Sequence, residues 1–98
     1  MIIEWTDPAL DDMDNIREYI SKDSTFYAKQ FIERIFSYVE NLSAQPKLGR
    51  IVPEEDRNDI RELIYRDYRI IYLLTSDCIK VLSVIHGTRD FSNAKHWD

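Results

Sequence analysis

The sequence predicts an α+β fold in which an N-terminal strand and a two-helix antiparallel hairpin are followed by a three-strand antiparallel meander. Two observations support this prediction. Apolar side chains recur at helical spacing in the first part of the chain and at strand spacing from Ile60 onward. The last three apolar segments are joined by links of only two or three residues, which permit antiparallel neighbours alone. We therefore expect one domain over residues 1–98, with the hairpin covering one face of the sheet.

The N-terminal part carries the signals of one strand and two helices. Ile2 to Trp5 is short and apolar, and Ile2 and Ile3 are predicted to pair at the edge or in the middle of the sheet. Asp7 is the expected N-cap of the first helix, with Pro8 at its first position, and Ser24 is the expected cap of the second. Both helices have an apolar stripe that we expect to face the sheet, consisting of Ala9, Met13, Ile16 and Ile20 in the first and of Ala28, Phe31, Ile32, Ile35, Val39 and Leu42 in the second.

The C-terminal part changes from a loop to strands. Ser43 to Asp59 contains two prolines, Gly49 and the acidic run Glu54-Glu55-Asp56, so it is predicted to be a loop in which the acidic run is only solvated. In the tail, either the chain frays or Phe91 and Trp97 fold back over apolar surface, and we expect at least Phe91 to be packed. The three predicted strands are rich in Ile, Val, Leu and Tyr, and they are Ile60 to Tyr65, Tyr68 to Leu74 and Cys78 to His86.

Composition argues against several classes of function. The net charge of −5 works against non-specific binding to a phosphate backbone, although the acid is concentrated before residue 60. No apolar run is long enough to cross a bilayer and the N-terminus lacks an export signal, so a cytoplasmic protein is expected. Cys78 is the only cysteine and is predicted to pack in the core. With His86 and His96 it lacks the paired spacing of zinc ligands, and neither a metal nor a cofactor is expected.

Five short motifs occur in a fixed order along nearly the whole chain. They are the helix start after Trp5, Pro46 with Gly49-Arg50, Arg61-Glu62-Leu63, Tyr68-Arg69-Ile70-Ile71-Tyr72 and His86-Gly87-Thr88-Arg89-Asp90. In this order they resemble the RelE/ParE superfamily of type II toxin-antitoxin systems, with the ParE-like branch the better match. The resemblance implies a toxin neutralised by a cognate antitoxin, whose largely extended C-terminal segment wraps round it. It also implies one of two targets, since ParE-like toxins inhibit DNA gyrase whereas RelE and YoeB-like toxins cut mRNA on the ribosome.

A nuclease of the second kind needs a base, an acid and cations at the phosphate. The chain offers four candidate cations, and one of them, Arg69, matches the strand arginine that YoeB-like nucleases use at the phosphate. The neighbouring His and Tyr at the end of the last strand in those nucleases fall here on Gly87 and Thr88, which cannot replace imidazole chemistry. His86 lies one position early and should point to the opposite face unless a bulge redirects it. The four candidate cations are Arg50, Arg61, Arg69 and Arg89.

We therefore favour a ParE-like toxin that inhibits gyrase by binding and catalyses no reaction of its own. Its expected target-binding residues are Arg61, Arg69 and Arg89. The first alternative is a YoeB-like mRNA endoribonuclease, for which the candidate catalytic residues are Arg61, Arg69 and His86. The second is a non-toxic binding module of the same fold. The expected partners are the antitoxin and gyrase, in a toxin-antitoxin hetero-oligomer or with the chain as a homodimer.

Ordinary structural roles are also open to several of these residues. Arg61, Arg66 and Arg69 can be sheet arginines paired with Glu62 or Asp67 across neighbouring strands. His86 can simply close a strand through local hydrogen bonds. Gly87 is expected to serve the backbone, either in a turn with positive φ or at a point of close approach.

Overall fold

The computed structural model describes residues 1–97, and the predicted helices and strands occur there in the predicted order. The strands are β1 (Ile2–Trp5), β2 (Arg50–Ile51), β3 (Ile60–Tyr65), β4 (Tyr68–Leu74) and β5 (Cys78–His86). The helices are α1 (Asp7–Ser21), α2 (Thr25–Val39) and the short α3 (Phe91–Ala94), and a 3₁₀ turn covers Glu40–Ser43. The α+β prediction is confirmed.

The five strands form one mixed sheet in the order β1-β5-β4-β3-β2. β3, β4 and β5 make the predicted antiparallel meander. β1 runs parallel to β5 at one edge of the sheet, with Ile2 opposite Cys78 and Trp5 opposite Val81. A parallel neighbour needs a long connection, and the helical hairpin with the rest of the meander provides it. Ile2 and Ile3, which were expected at the edge or in the middle of the sheet, thus lie at the edge.

β2 lies inside the segment that the sequence predicted to be a loop, so that prediction is wrong at this point. Arg50 stands opposite Glu62, and Ile51 stands opposite Arg61, at the second edge of the sheet. Two residues are too few to show an alternating pattern, and periodicity therefore could not detect the strand. The pairing matters because it places Arg50 beside Glu62.

The helix caps agree with the sequence at one helix and differ by one residue at the other. Ser24 caps α2 as predicted, since its hydroxyl accepts a hydrogen bond from the backbone N–H of Tyr27 at 3.1 Å. At α1 the N-cap is Thr6 and not Asp7, and Pro8 therefore takes the second helical position. The Thr6 hydroxyl also donates to the carbonyl of Val81 in β5 at 2.7 Å. This contact with the sheet favours Thr6 over the equally suitable Asp7.

Apolar side chains form a core on each face of the sheet. The larger core lies under the helical hairpin and contains most of the two predicted stripes, while the smaller core occupies the other face. The buried members of the larger core are Ala9, Met13, Ile16, Phe31, Ile35, Val39, Leu42, Leu63, Ile70, Tyr72, Ile79, Val81 and Val84. The smaller core consists of Val52, Ile60, Ile71, Leu82, Ile85 and Phe91.

The tail after β5 closes the smaller core. Phe91 is buried, and its ring contacts that of Trp97 with 5.7 Å between the ring centroids. The Trp97 indole N–H donates to the carboxylate of Glu55 at 2.9 Å. The expectation that the tail packs is confirmed for both aromatic residues.

Cys78 departs from the sequence prediction. It is only half-buried, because it opens β5 directly after an exposed turn. The Thr75 hydroxyl lies 3.5 Å from its sulfur. The prediction that Cys78 packs in the core is wrong.

A β-bulge in β5 changes which side chains face the hairpin. The pairing between β4 and β5 shifts between Ile71 and Tyr72. The carboxylate of Asp12 in α1 accepts hydrogen bonds from the Ser83 hydroxyl at 2.7 Å and from the Val84 N–H at 2.9 Å. In a regular strand, Val81 and Val84 would point to opposite faces, because they are three residues apart. The bulge places both of them in the larger core. His86, two residues further, lies on the same face.

The Asp12 contact gives a first prediction. Asp12→Ala is expected to lower the free energy of unfolding by about 1 to 3 kcal/mol, because the Ser83 hydroxyl and the Val84 N–H lose their partner. Urea unfolding followed by circular dichroism measures the change. Asp11→Ala, which alters an exposed neighbour on α1, is the control and should change stability by less than about 0.5 kcal/mol. Equal effects of the two substitutions would contradict a structural role for Asp12.

Candidate functional site

The structure distributes the predicted cations over three places and does not gather them on one surface. Arg50 and Arg69 lie on the face of the smaller core. Arg61 stands opposite Tyr72, a member of the larger core, and donates to the carbonyl of Gly49 at 2.9 Å. Arg89 lies beyond the end of β5, beside α1. Arg61 and Arg69 therefore point to opposite faces of the sheet.

Arg69 is held by two carboxylates and an aromatic ring. Its Nε donates to Glu62 at 2.7 Å, and its two terminal nitrogens donate to Glu54 at 3.0 and 2.8 Å. The guanidinium carbon lies 4.9 Å from the centroid of the Phe91 ring. Glu62 is fully buried and also accepts a hydrogen bond from Arg50 at 2.6 Å. Arg69 thus has the cross-strand partner that the sequence suggested as its ordinary role.

The pKa values of this cluster follow from its contacts. Hydrogen bonding to Glu54 is the largest cause that raises the pKa of Arg69 above its ordinary value, with a further contribution from Glu62. The same contact lowers the pKa of the Glu54 carboxyl. Both groups therefore stay charged, and the cation is neutralised within the protein.

The prediction that the acidic run is only solvated is wrong for two of its three residues. Glu54 pairs with Arg69, as described above. Glu55 accepts hydrogen bonds from Lys95 and Trp97, and its side chain is only 7% exposed. Asp56 is exposed and adopts a positive φ of 50°. The run forms contacts because the loop turns back over the smaller core, which local composition does not reveal.

The Glu54 contact predicts a pH dependence. Because the pKa of Glu54 is lowered in the folded state, the contact stabilises the protein above the ordinary value of 4.5 and is lost as the pH falls through the folded value. Wild type should therefore lose more stability than Glu54→Gln between about pH 7 and about pH 3. The difference should stay below about 1 kcal/mol, because the Glu54 side chain is 42% exposed and screened by solvent.

Thermal unfolding at both pH values tests this expectation. Glu33→Gln, a change of an exposed glutamate on α2, is the control and should follow wild type. A Glu54→Gln protein that loses as much stability in acid as wild type would show that the Arg69 contact contributes nothing.

His86 and Arg89 line a groove between α1 and the ends of β4 and β5. The groove has a volume of about 630 Å³, and its walls include Ile16, Tyr68 and Val84. It also contains the side chains of Asp12, Asn15, Tyr19 and Asp67. The groove lies on the hairpin side of the sheet, away from the Arg69 cluster.

The hydrogen bonds of His86 are local. Its Nδ1 lies 2.7 Å from the Thr88 hydroxyl and accepts the backbone N–H of Thr88 at 3.2 Å. The His86 ring packs edge-on against Tyr68, with 5.3 Å between the centroids. Because Arg69 pairs with Ile85 in the sheet, Arg69 and His86 point to opposite faces. Arg69 and His86 both line a small pocket at the turn between β3 and β4, but Arg61 is not among its lining residues, and the side chains of Arg69 and His86 lie on opposite faces of the sheet.

Gly87 serves the backbone by close approach. Its N–H donates to the carbonyl of Asp67 at 2.7 Å, and a Cβ at this position would lie 3.2 Å from that oxygen. Its φ is not positive, so Gly87 does not have the role of a turn residue with positive φ, which was the other role expected for it. Gly87 and Thr88 thus close the strand and supply no acid or base.

The sequence named three further residues without predicting that they are central to the contacts around the site. Glu62 is buried within β3, and a carboxylate in an apolar strand was the available signal. Tyr72 is fully buried, and its hydroxyl accepts a hydrogen bond from the Gly49 N–H and donates one to the Pro46 carbonyl. Glu54 gave no signal, since its partner is 15 residues away.

Within residues 1–97 there is no group of three or more His, Cys, Asp or Glu side chains placed to hold a metal ion. Over the same range, no helix has the length and apolar character that a membrane span requires.

Comparison with known proteins assigns the family. The family described as the ParE toxin of the type II toxin-antitoxin system, parDE, matches residues 3–91. The chain belongs to the ParE toxin family. A relative from Sinorhizobium fredii, named "Putative toxin Y4kP", is 36% identical over 87 residues, which cover 87% of this chain and 86% of that protein.

A solved structure shows the same fold. It is described as "Chromosomal ParDE TA system from P. aeruginosa" and superposes with a TM-score of 0.74 at 21% sequence identity. The match covers 88% of this ParE-family chain and 95% of the other. The arrangement of strands and helices is thus shared with a structure of distant sequence.

Proposed function

We propose that this ParE-family chain arrests growth by binding and inhibiting DNA gyrase, and that a cognate antitoxin neutralises it. Family membership supports the toxin role. The observation that favours inhibition by binding is the ion pairing of Arg69 with Glu54 and Glu62. These carboxylates neutralise the cation that a nuclease would need at the phosphate. Two carboxylates at this position would also repel a phosphate group.

The geometry supplies little else of a ribonuclease. His86 points away from Arg69, and the lone pair of its Nδ1 is occupied by Thr88. Gly87 and Thr88 stand where YoeB-like nucleases are expected to carry their acid and base. A general acid or base must reach the proton it transfers, and the carboxylates that do reach Arg69, Glu54 and Glu62, are ion-paired with it.

Of the three arginines predicted to contact the target, Arg89 is best placed to do so. Within the described part of the chain, its guanidinium forms no ion pair, and it lines the open groove beside α1. Arg61 and Arg69 already have internal partners, so we expect their replacement to affect the fold as well as the target.

The two edges of the sheet are surfaces that an antitoxin can bind. The sheet ends in two short edge strands, β1 and β2, and unpaired edges accept an added strand. Ile2 in β1 is 75% exposed and Ile51 in β2 is 39% exposed. An antitoxin segment that covers these side chains would remove apolar surface from water, in a hetero-oligomer with the toxin.

The test follows plasmid supercoiling by gyrase and the integrity of translated mRNA with the purified chain, free of antitoxin. We expect inhibited supercoiling and intact mRNA. Arg89→Ala should weaken inhibition roughly tenfold, in the range of an interface contact. Arg34→Ala, an exposed arginine on α2, is the matched control and should behave as wild type.

Other outcomes would identify the alternatives. Cleavage of mRNA within codons, abolished by Arg69→Ala or His86→Ala while ribosome binding persists, would establish the nuclease. Harmless overexpression in the absence of any antitoxin would favour a non-toxic binding module. A co-expressed small protein that co-purifies with the chain and relieves arrest would identify the antitoxin.

A further inference from the structure

The tip of the helical hairpin carries an exposed group of aromatic rings and cations. Tyr19, at the end of α1, is 68% exposed, and Phe26 and Tyr27, at the start of α2, are 70% and 46% exposed. The turn between β3 and β4 lies beside them, since Phe31 contacts both Tyr27 and Tyr65, the last residue of β3. We call this surface the tip patch, and it consists of Tyr19, Lys22, Phe26, Tyr27, Tyr65 and Arg66.

The tip patch rests on a layer of packed rings. The rings of Tyr27 and Phe31 have centroids 6.3 Å apart. Phe31, which is buried, in turn contacts Tyr65 and Tyr68, each with 5.7 Å between centroids. Rings fixed in this way lose little conformational freedom when a partner binds them, which favours affinity.

Arg66 adopts a backbone conformation that its residue type disfavours. Its φ is 52°, at the first position of the two-residue turn between β3 and β4, where glycine or asparagine is preferred. A side chain with a Cβ is disfavoured in this region because the Cβ crowds the backbone. In this conformation the guanidinium carbon of Arg66 lies at the tip, 5.8 Å from the centroid of the Tyr65 ring.

The two cations of the tip patch are available to a partner. Lys22 lies 5.8 Å above the ring of Tyr19, as Arg66 does above Tyr65, and neither forms a salt bridge to a carboxylate of residues 1–97. In contrast, Arg50, Arg69 and Lys95, which lie around the smaller core, are paired with carboxylates inside the protein. The tip patch therefore offers positive charge next to apolar ring surface.

This combination fits a protein better than a nucleic acid. Tyrosine, phenylalanine and arginine are enriched in the cores of protein interfaces. A phosphate backbone needs several cations to displace its counterions, whereas the tip patch has two in a chain of net charge −5.

We propose that the tip patch docks an acidic protein segment of the toxin's target, with carboxylates at Lys22 and Arg66 and an apolar side chain against Phe26 and Tyr27. The proposal rests on the proposed function in one respect, namely that the chain acts by binding a protein. It adds the surface used and the chemistry of the partner segment.

Three substitutions test it. Arg66→Gly relieves the backbone and removes the cation, so it should unfold at the same or a higher temperature than wild type while growth arrest and gyrase binding weaken at least tenfold. Arg66→Glu should weaken both further, because it repels the partner's carboxylates. Phe26→Ala should weaken both and leave the fold intact. Leu10→Ala, 39% exposed at the far end of α1, is the control and should leave both unchanged.

The outcomes separate this proposal from the proposed function. If wild type arrests growth without binding gyrase, the gyrase assignment is wrong. Loss of growth arrest in Arg66→Gly and Phe26→Ala would still support the tip patch as a docking surface. Folded variants that arrest growth as wild type does would overturn the proposal. So would selective loss of antitoxin binding, or binding of a DNA or RNA fragment that Arg66→Glu abolishes. A wild-type chain that neither arrests growth nor binds gyrase would overturn both.

Discussion

Glu62→Ala is expected to lower the free energy of unfolding by about 3 to 5 kcal/mol, the range found when one partner of a buried ion pair is removed. The Glu62 side chain is completely buried and accepts hydrogen bonds from Arg50 at 2.6 Å and Arg69 at 2.7 Å. Arg69 is itself only 14% exposed, so the substitution leaves a mostly buried cation with Glu54 as its remaining carboxylate partner. The lost volume adds a cavity beside the smaller core.

Two matched substitutions separate charge from packing. Glu62→Gln keeps the shape and one acceptor oxygen, so its effect should fall between those of wild type and Glu62→Ala. Glu54→Gln alters the exposed partner of the same arginine and should cost less than about 1 kcal/mol. Chemical unfolding at neutral pH gives all three values. If Glu62→Ala costs no more than Glu54→Gln, the buried pair does not stabilise the sheet.

Gly49→Ala is expected to lower the free energy of unfolding by about 2 to 3 kcal/mol through overpacking and lost hydrogen bonds. An added Cβ would lie 2.6 Å from the carbonyl oxygen of Glu62 and 2.7 Å from both Cε1 and the hydroxyl oxygen of Tyr72. Tyr72 is fully buried, and its hydroxyl accepts the Gly49 N–H at 3.0 Å while donating to the Pro46 carbonyl at 2.8 Å. Neither neighbour can move without opening the sheet edge.

The second glycine of the chain provides the control. Gly87→Ala brings a Cβ to 3.2 Å from the Asp67 carbonyl at an exposed turn, which a small shift relieves, so we expect a loss below about 1 kcal/mol. Tyr72→Phe removes the hydrogen bonds without any overlap and should cost about 1 to 2 kcal/mol. Equal melting temperatures of the two glycine variants would show that the loop before β2 yields to the added methyl group.

Local patterns were sufficient to predict the main elements of the fold. The helical stripes and the three long strands repeat over enough residues to define a period, and the short links between strands allow few topologies. The start of α1 was misplaced by one residue because Thr6 and Asp7 are both good caps. The contact of Thr6 with Val81, 75 residues away, decides between them.

The contacts of the candidate site depend on chain paths that the sequence does not encode locally. The pairing of Glu54 with Arg69 requires the loop before β3 to fold back over the smaller core. The face of His86 depends on the bulge in β5, which Asp12 of α1 satisfies through hydrogen bonds to Ser83 and Val84. A regular strand would have aimed His86 the other way, so side-chain period alone could not place it.

The parallel pairing of β1 with β5 has a consequence for folding during synthesis. β1 precedes the other strands of the sheet in the sequence, yet the residues that it pairs with are residues 78 to 81. The chain up to residue 81 must therefore be synthesised before β1 can pair fully, and contacts between residues so far apart in sequence form slowly. The edge of the sheet formed by β1 is therefore completed only after both long helices and the antiparallel strands have been translated.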